Sequence, residues 1–365
     1  MRCISAYYFQ SSSVSEWVDA RIILQNQFYP QPLYDMKIVG IIGGSGFIGS
    51  FVTKKFLTET YFTPELTEEN YSVRVSATDI SKTEKYLHLL SFPNSKNLEI
   101  IPVDARDETD LQDFVNGCDI LVHCGTPFQL DITDPQGEMF EPTIKGTENL
   151  LKIASKTSGL TKLIFVASAA AYNTNFPLPA DGRSANHVYT ESDAPFVAAK
   201  SHPYNLSKYY ADQAVRRYVS EHSKAELEIV TLCPVFAIGK ALSKRVDSTS
   251  TGLQFLIKNK IAPNLFMKML FEQNIEFAVV DVNDVAESIY KAAIIPGLHG
   301  KNYLLSSESW RVSDLSLMLN NQQPVGNARK TVSGKLATKE LNINFKPAKI
   351  SLSDYAAIAE NEFHE

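Results

Sequence analysis

Short apolar runs alternate with helix-length amphipathic stretches from Met36 to about residue 235. Runs such as VGII and LIFVAS are apolar without alternation, which is typical of strands covered on both faces of a sheet. The predicted strands span residues 37–42, 72–78, 98–103, 119–124, 162–168 and 227–233, and the predicted long helices span residues 47–58, 138–156 and 204–222. Because parallel strands separated by helices are joined by right-handed crossovers, the pattern predicts an α/β fold with a doubly wound parallel sheet.

The regular alternation weakens after Pro234, and this change indicates a second, smaller lobe. A strand at 277–280, a helix at 285–294 and a strand at 303–306 are predicted, so we expect the segment 275–306 to return to the main sheet domain. The expected organisation is a sheet domain over residues 36–235 and a smaller, substrate-binding lobe over residues 236–365.

The first 35 residues differ from the rest of the chain. They lack the continuous apolar core of a secretory signal, and the acidic residues Glu16, Asp19 and Asp35 argue against an organelle transit peptide. We expect residues 1–35 to be a disordered extension, or to precede a true start at Met36.

Composition narrows the classes of function. The chain has 365 residues, 44% of them hydrophobic and 21% charged, and its formal net charge of -6 disfavours nucleic-acid binding. Its four cysteines form no CxxC pair and its histidines lack metal-ligand spacing, so we predict no metal site and a reducing, cytoplasmic setting. No apolar run approaches the roughly 18 residues that a membrane span needs, so we expect no membrane segment.

The sequence IIGGSGFIGS combines a strand end, a glycine turn and a helix start. Gly43, Gly46 and Gly49 have GxxGxxG spacing, which permits a tight turn, close approach of a pyrophosphate and close packing of helix on sheet. The helix N-terminus offers free N–H groups and partial positive charge to phosphates. Residues 36–235 are therefore predicted to be a Rossmann-type dinucleotide-binding domain, with Ser45, Phe47 and Ile48 of the turn also at the cofactor; a glycine turn without a ligand is the alternative.

Two acidic residues follow the second and third predicted strands. Asp79 is placed to bind the ribose hydroxyls of a dinucleotide, and Asp104 lies where the adenine is expected. Either residue could instead cap a helix or a turn.

Tyr204 and Lys208 form a YxxxK motif at the start of a predicted helix, where positions i and i+4 share one face. Free tyrosine has a pKa of about 10, and a neighbouring cation lowers that pKa, so the pair predicts a tunable acid/base. Ser168 follows the fifth strand, at the sheet edge where open α/β folds bind ligands. Taken singly, the pair could be an ordinary amphipathic face and the serine a cap; together they predict a catalytic triad.

With these residues in view, the chain resembles the extended short-chain dehydrogenase/reductases of the NAD-dependent epimerase/dehydratase superfamily. It is most similar to the dihydroflavonol reductase and aldehyde/ketone reductase branch. The segments that carry the resemblance cover most of residues 36–290 and include GGSGFIGS, VDARD, LVHCGTPF, TDPQGEMFEPTIKGTENLLKIAS, LIFVASAAAY, YTESDAP, YNLSKYYADQAV, TLCPVFAIG and VDVNDVA.

The resemblance implies a role for each matching residue. Tyr204 would exchange the proton at the substrate oxygen, Lys208 would hold the nicotinamide ribose, and Ser168 would polarise the substrate carbonyl while hydride passes to or from the nicotinamide. Further implied cofactor contacts are Ala105, Cys124, Gly125, Thr126 and Pro234. The small-molecule carbonyl or alcohol substrate would lie under residues 236–270 and an irregular insert at 176–200, and a homodimer is common in the family.

The cofactor and the reaction class stay open at this point. Thr78 stands where the reductase branch, which uses NADP, carries an arginine; Asp79 beside it suggests NAD, and Lys82 or Lys85 could restore NADP binding. The leading hypothesis is an NAD(P)-dependent reductase or dehydrogenase. Alternatives are a nucleotide-sugar epimerase with tightly bound NAD, a 3β-hydroxysteroid-type dehydrogenase and a non-catalytic dinucleotide sensor.

Overall fold

A parallel sheet of seven strands forms the centre of the molecule in the computed structural model, in the order β11-β8-β7-β6-β1-β4-β5. The structure describes residues 36–62, 68–104, 107–124, 134–184, 186–222, 226–243 and 248–361. The N-terminal segment and the predicted cofactor residues Ala105, Gly125 and Thr126 lie outside the described residues. The α/β class with a doubly wound parallel sheet, predicted from the sequence, is confirmed.

Twelve strands occur in the described residues, and they fall into three sheets. The strands are β1 (Ile38–Ile42), β2 (Thr60–Phe62), β3 (Glu68–Asn70), β4 (Ser72–Ala77), β5 (Leu98–Pro102), β6 (Ile120–His123), β7 (Lys162–Val166), β8 (Glu228–Pro234), β9 (Phe236–Ile238), β10 (Glu276–Asp281), β11 (Asn302–Leu305) and β12 (Glu308–Arg311). Besides the main sheet there is a three-stranded sheet, β12-β10-β9, and a hairpin of β2 and β3.

Helices cover both faces of the main sheet and build most of the smaller lobe. The α-helices are α1 (Phe47–Thr58), α2 (Leu87–Leu90), α3 (Glu108–Val115), α4 (Gly146–Ala154), α5 (Pro203–Glu221), α6 (Thr249–Asn259), α7 (Leu265–Glu272), α8 (Val282–Ile294), α9 (Val312–Leu319), α10 (Lys335–Leu341) and α11 (Ala348–Asn361). Among the helices of the described residues, none combines the length and apolar character needed to cross a membrane.

The segment predicted as one α-helix over residues 138–156 is divided. A π-helix, Gln136–Lys145, precedes α4, and Pro142 lies inside it. Proline has no N–H to donate to the preceding turn, and a wider turn accommodates that loss. The prediction of an unbroken α-helix is therefore wrong in its first half.

The three-stranded sheet separates two hydrophobic cores. Ala278 and Val280 of β10 belong to the core of the main sheet, whereas Phe277 and Val279 belong to the second core. Alternate side chains of a strand point to opposite faces, so β10 supports both cores at once. The segment 275–306 therefore returns to the main sheet only in part: α8 packs on α1 and β11 joins β8, but β10 pairs with β9 and β12.

The polar C-terminal stretch contains α9, α10 and α11, which the sequence pattern did not predict. The described residues of the irregular insert at 176–200 form no helix. Isolated bridges join Phe196 to Asn173 and Tyr189 to Val332. Tyr189 and the 331–333 segment exchange two backbone hydrogen bonds of 2.9 and 2.8 Å. The insert is thereby tied both to the sheet domain and to the C-terminal part of the chain.

Asp284 on α8 provides a test of how the C-terminal segment is attached. Its Oδ2 accepts a 2.6 Å hydrogen bond from the backbone N–H of Lys346, and burial raises the pKa of Asp284 to about 6. The folded state therefore holds this proton more tightly than the unfolded state, and stability from this group is lost as the pH rises from about 4 through about 6.

We expect the unfolding free energy of Asp284→Asn, relative to that of the wild type, to rise by about 1 kcal/mol between pH 4 and pH 7. This is less than the full pKa shift implies, because the carboxylate is partly exposed. Urea unfolding at four pH values measures the difference. Asp113→Asn, on the exposed side of α3, is the control and should track the wild type. A difference between Asp284→Asn and the wild type that does not change with pH would contradict the assignment.

Candidate active site

A cavity of about 1190 Å³ opens at the carboxyl ends of the sheet strands. β1 has β4 on one side and β6 on the other, so the strand order reverses at β1. Open α/β sheets bind ligands in the crevice at such a reversal. The cavity runs from the glycine turn after β1 to the smaller lobe, and both regions line it.

The glycine turn is shaped by one close backbone contact. Gly43 adopts φ of +77°, a conformation that favours glycine. A Cβ on Gly49 would lie 2.1 Å from the carbonyl oxygen of Gly43, so only glycine lets the first turn of α1 pack on the turn. Gly46 caps α1 without any side-chain hydrogen bond, which leaves the first-turn N–H groups available to an anion.

Two further anchors of this turn were missed by the sequence reasoning. A Cβ on Gly44 would lie 2.7 Å from Cγ2 of Val75, so the β1–α1 turn also presses directly on β4. The Ser76 hydroxyl accepts a 3.1 Å hydrogen bond from the Gly43 N–H. The doubled glycine in the motif could have indicated the first contact, but no local pattern indicates the second.

The structure brings Ser168, Tyr204 and Lys208 to the same cavity. Ser168 precedes the short 3-10 helix Ala169–Ala171, and its Oγ accepts a 3.2 Å hydrogen bond from the Ala170 N–H. The Ser168 hydroxyl is also hydrogen-bonded to the Tyr204 phenol. The Lys208 Nζ lies 5.9 Å from the centroid of the Tyr204 ring. This is the convergence that the YxxxK spacing and the serine position predicted.

The pKa of Tyr204 differs from the sequence prediction in direction. Burial raises the pKa of the phenol to about 12, and the hydrogen bond from Ser168 only partly opposes this. Burial also lowers the pKa of Lys208 to about 8. Desolvation thus sets the direction of the Tyr204 pKa, and the Lys208 ammonium is not among the groups that lower it. A pKa of about 12 corresponds to a protonated phenol at neutral pH.

The helix α5 is fixed at its start by side chains near the site. His202 caps it, and Pro203 occupies the first turn, where a missing N–H costs nothing. The Asn205 side-chain amide donates to the carbonyl oxygens of Thr174 and Phe176, at 2.9 and 3.0 Å. These bonds join α5 to the start of the insert.

At the far end of the cavity, Asp79 lies in a turn that its side-chain hydrogen bonds hold in place. Its Oδ1 accepts from the Ser81 N–H and hydroxyl at 3.1 and 2.5 Å, and its Oδ2 lies 3.5 Å from Nζ of Lys82. The Ser81 bonds and the Lys82 charge hold the pKa of Asp79 below its usual range. Lys82 and Lys85 also line the cavity, as does Asp104. Asp79 thus caps a turn, which was the alternative to a ribose-binding role, and this turn lies beside the cavity.

The opposite end of the cavity is apolar. Phe277 stacks on Phe236 at a centroid distance of 4.9 Å and meets the edge of Phe176 at 5.7 Å. Leu253 and Leu265 line the same end. Among the lining residues from 166 onward that the structure describes, Lys208 has the only charged side chain apart from histidine. Hydroxyl and amide side chains also line this part of the cavity, from Ser243, Ser248, Ser250, Thr251 and Asn264. This end is therefore suited to an uncharged molecule with a largely apolar surface.

The other predicted cofactor residues within the described ranges also line the cavity: Gly43, Ser45, Gly46, Phe47, Ile48, Gly49, Asp79, Asp104, Cys124 and Pro234. Lining residues that the sequence reasoning did not single out include Tyr86, Glu138 and Phe176, for which no local motif gave a signal. Within the described ranges, no group of three or more His, Cys, Asp or Glu is placed to hold a metal ion.

Comparison with known proteins agrees with this geometry. The profile of the NAD dependent epimerase/dehydratase family matches residues 39–303. The bifunctional dihydroflavonol 4-reductase/flavanone 4-reductase of Pyrus communis is 28% identical over 294 residues, covering 78% of this chain and 76% of that protein.

Two solved structures share the fold. Yeast methylglyoxal/isovaleraldehyde reductase Gre2 complexed with NADPH has a TM-score of 0.68 and 20% identity, covering 90% of this chain and 100% of that chain. MoeE5 in complex with UDP-glucuronic acid and NAD has a TM-score of 0.64 and 16% identity, covering 89% and 99%. Because proteins with such different bound molecules share this fold, the likeness shows the fold alone.

Gly49→Ala tests the contact that shapes the turn. The added methyl would meet the Gly43 carbonyl oxygen at 2.1 Å, so α1 must move away from the turn. We expect a loss of about 2 kcal/mol in unfolding free energy and a fall of at least ~10-fold in affinity for the nicotinamide dinucleotide. Chemical unfolding and calorimetric titration measure the two effects.

Gly252→Ala is the matched control, because Gly252 lies inside α6, does not line the cavity, and a Cβ there has no heavy atom within 4 Å. It should leave dinucleotide affinity unchanged and stabilise the helix by about 0.5 kcal/mol. Equal affinities of Gly49→Ala and Gly252→Ala would rule out the role given to the turn.

Proposed function

The chain belongs to the NAD dependent epimerase/dehydratase family and is an NAD(P)-dependent reductase of the extended short-chain dehydrogenase/reductase type, and we propose that it reduces an uncharged, apolar carbonyl compound with NADPH. One observation carries this proposal. A single cavity joins the glycine turn to the aromatic end, and the Ser168–Tyr204 pair lies in its wall. A dinucleotide and a carbonyl compound could therefore meet at the phenol.

The residues present fit a nicotinamide dinucleotide. A Cβ on Gly46 would lie 3.2 Å from the Gly43 carbonyl oxygen, so the glycine keeps open the space in which a diphosphate would meet the N-terminus of α1. Gly43 and Ser45 would contribute to this cradle, and Lys208 would hold the nicotinamide ribose. The nicotinamide, when bound, supplies the hydride.

Proton transfer is assigned to Tyr204. Ser168 would donate a hydrogen bond to the substrate oxygen, and the Tyr204 phenol would deliver its proton to that oxygen as charge develops on it. A phenol with a pKa of about 12 is protonated at neutral pH, which suits an acid better than a base. At neutral pH the phenol would therefore carry the proton that reduction of a carbonyl consumes.

The geometry favours NADP over NAD as the cofactor. The Asp79 carboxylate is engaged by Ser81 and Lys82, so it is partly neutralised rather than left to repel a phosphate. Lys82 and Lys85 line this end of the cavity, and exposed Thr78 lies next to it without blocking it. These lysines would supply the positive charge for a 2′-phosphate in place of the absent arginine.

The nucleotide-sugar epimerase hypothesis is less well supported. Such a substrate brings a second diphosphate, which proteins usually meet with cations. At that end of the cavity, Lys208 is the one lysine or arginine among the described lining residues, and the others include four phenylalanine rings and several hydroxyl and amide side chains. A non-catalytic sensor is also disfavoured, because the chain keeps both Tyr204 and Lys208 and their side chains line one cavity with Ser168.

We also propose that the protein forms a homodimer and is located in the cytoplasm. The cysteines of the described residues, Cys118, Cys124 and Cys233, have free thiols, which supports a reducing compartment.

Tyr204→Phe tests the acid. The variant keeps the ring but loses the proton and the Ser168 hydrogen bond, so we expect kcat to fall by at least ~10²-fold with NADPH affinity retained. Stopped-flow or steady-state kinetics of NADPH oxidation measure kcat, with a panel of aldehydes and ketones as substrates. Tyr210→Phe, whose ring is 46% exposed on the same helix, is the control and should behave as wild type. Unchanged turnover in Tyr204→Phe would remove the acid assignment.

Lys85→Ala and Lys82→Ala test the cofactor preference. Each should raise KM for NADPH by about 10-fold and leave KM for NADH nearly unchanged, because only the 2′-phosphate loses a charged partner. Lys96→Ala, an exposed lysine outside the cavity, controls for net charge. A wild-type enzyme that prefers NADH, or equal effects on both cofactors, would contradict NADP use.

A further inference from the structure

The helix α5 contacts the segment that carries Ser168 at a point well away from the cavity. α5 holds Tyr204 in its first turn and Arg216 about three turns later, which is about 18 Å along the helix axis. The Arg216 guanidinium lies over the ring of Tyr172, 5.0 Å from the ring centroid. Tyr172 directly follows the short 3-10 helix that Ser168 precedes. One helix therefore contacts Ser168's segment and also carries the phenol.

The segment from Ser168 to Tyr172 is one hydrogen-bonded unit. The Ala171 N–H donates to the Ser168 carbonyl oxygen at 2.9 Å. The Tyr172 N–H donates to the Ala169 carbonyl oxygen at 3.0 Å, and the Ser168 Oγ accepts from the Ala170 N–H. The three side chains between the two ends are methyl groups, so Tyr172 is the first side chain large enough to anchor the unit. A shift of the Tyr172 ring would therefore also shift the Ser168 hydroxyl.

A buried carboxylate fixes the position of Arg216. Asp212, one turn before it on α5, is 0% exposed, and its Oδ2 accepts a 2.5 Å hydrogen bond from the Arg216 Nε. The Asp212 Oδ1 accepts a 3.4 Å hydrogen bond from the Asn302 side-chain amide on β11. A buried carboxylate that loses its charged partner is strongly destabilising, so the guanidinium stays between Asp212 and the Tyr172 ring.

Tyr172 is held on its backbone side as well. The side chain is 1% exposed, and the Tyr172 carbonyl oxygen accepts a 2.9 Å hydrogen bond from the N–H of Phe196 in the insert. The insert thus holds the backbone at Tyr172, while Arg216 packs on the ring.

We propose that Arg216 is a positioning residue that acts on Ser168 through the Tyr172 ring. Its guanidinium keeps the ring in place, and the ring keeps the Ser168 hydroxyl at the Tyr204 phenol, to which it is hydrogen-bonded. This inference rests on the proposed reductase function. Because a small misplacement of a reacting group lowers turnover steeply, loss of the ring contact should affect kcat more than cofactor binding.

Arg216→Lys removes the flat guanidinium but keeps a cation for Asp212. We expect kcat for NADPH-dependent carbonyl reduction to fall by about 10-fold, and KM for NADPH to change by less than about 2-fold. Arg217→Lys is the matched control, because Arg217 is the next residue of α5, is 64% exposed and pairs with Glu148 at 3.4 Å. The control should behave as wild type.

A double-mutant cycle separates the positioning of Ser168 from a general effect on the structure. In a Ser168→Ala background there is no hydroxyl to position, so adding Arg216→Lys should lower kcat by less than about 2-fold further. Single-turnover kinetics at high enzyme concentration measure the low rates of that background. Tyr172→Phe keeps the ring and should retain the wild-type kcat, whereas Tyr172→Leu should lose about as much as Arg216→Lys. Circular dichroism checks that each variant is folded.

An unchanged kcat in Arg216→Lys would overturn the role of Arg216. An equal loss from Arg216→Lys with and without the Ser168 hydroxyl would overturn it too, because the effect would then not act through Ser168. If Tyr172→Leu does not fold, the cycle of Arg216→Lys and Ser168→Ala decides alone. Absence of any NADPH- or NADH-dependent turnover by the wild type would instead overturn the proposed function itself.

Discussion

Enclosure of the Tyr204–Lys208 pair at the carboxyl edge of the sheet governs the chemistry of this protein. Lys208 is 5% exposed, and the protein around the pair disfavours the charged form of each group. Desolvation therefore acts in opposite directions on the two pKa values, raising that of the phenol and lowering that of the ammonium. The result is a protonated phenol beside Ser168, as the proposed proton donor requires.

That enclosure depends on parts of the chain that are far apart in sequence. β9 and β10 form a partition with the main core on one face and Phe236, Phe277 and Val279 on the other. This second core supplies the apolar end of the cavity. The insert closes the same end through Phe176, and its bridge to Val332 ties it to the C-terminal segment. A substrate site between two cores can vary in shape without disturbing the dinucleotide half.

In the dinucleotide half of the cavity, backbone contacts and charged groups have different roles. Gly43, Gly44 and Gly49 are required by contacts of the turn with itself and with β4, so they would be needed with either cofactor. The proposed preference for NADP rests instead on exposed groups at the far end of the cavity, where Asp79 is held by Ser81 and Lys82. Sequence position alone made Asp79 look like a ribose ligand; its hydrogen bonds give it a second, local role.

The amino-acid sequence by itself determined the parallel sheet, the glycine turn and the membership of Ser168, Tyr204 and Lys208 in one site. These features follow from local patterns: apolar strands, glycine spacing and an i, i+4 pair. Tertiary structure decided the rest. The direction of the Tyr204 pKa, the π-helix at Pro142, the pairing of β10 and the packing of Arg216 on Tyr172 depend on burial and on contacts between distant segments. No periodicity records such contacts, because desolvation and packing exist only once the chain has folded.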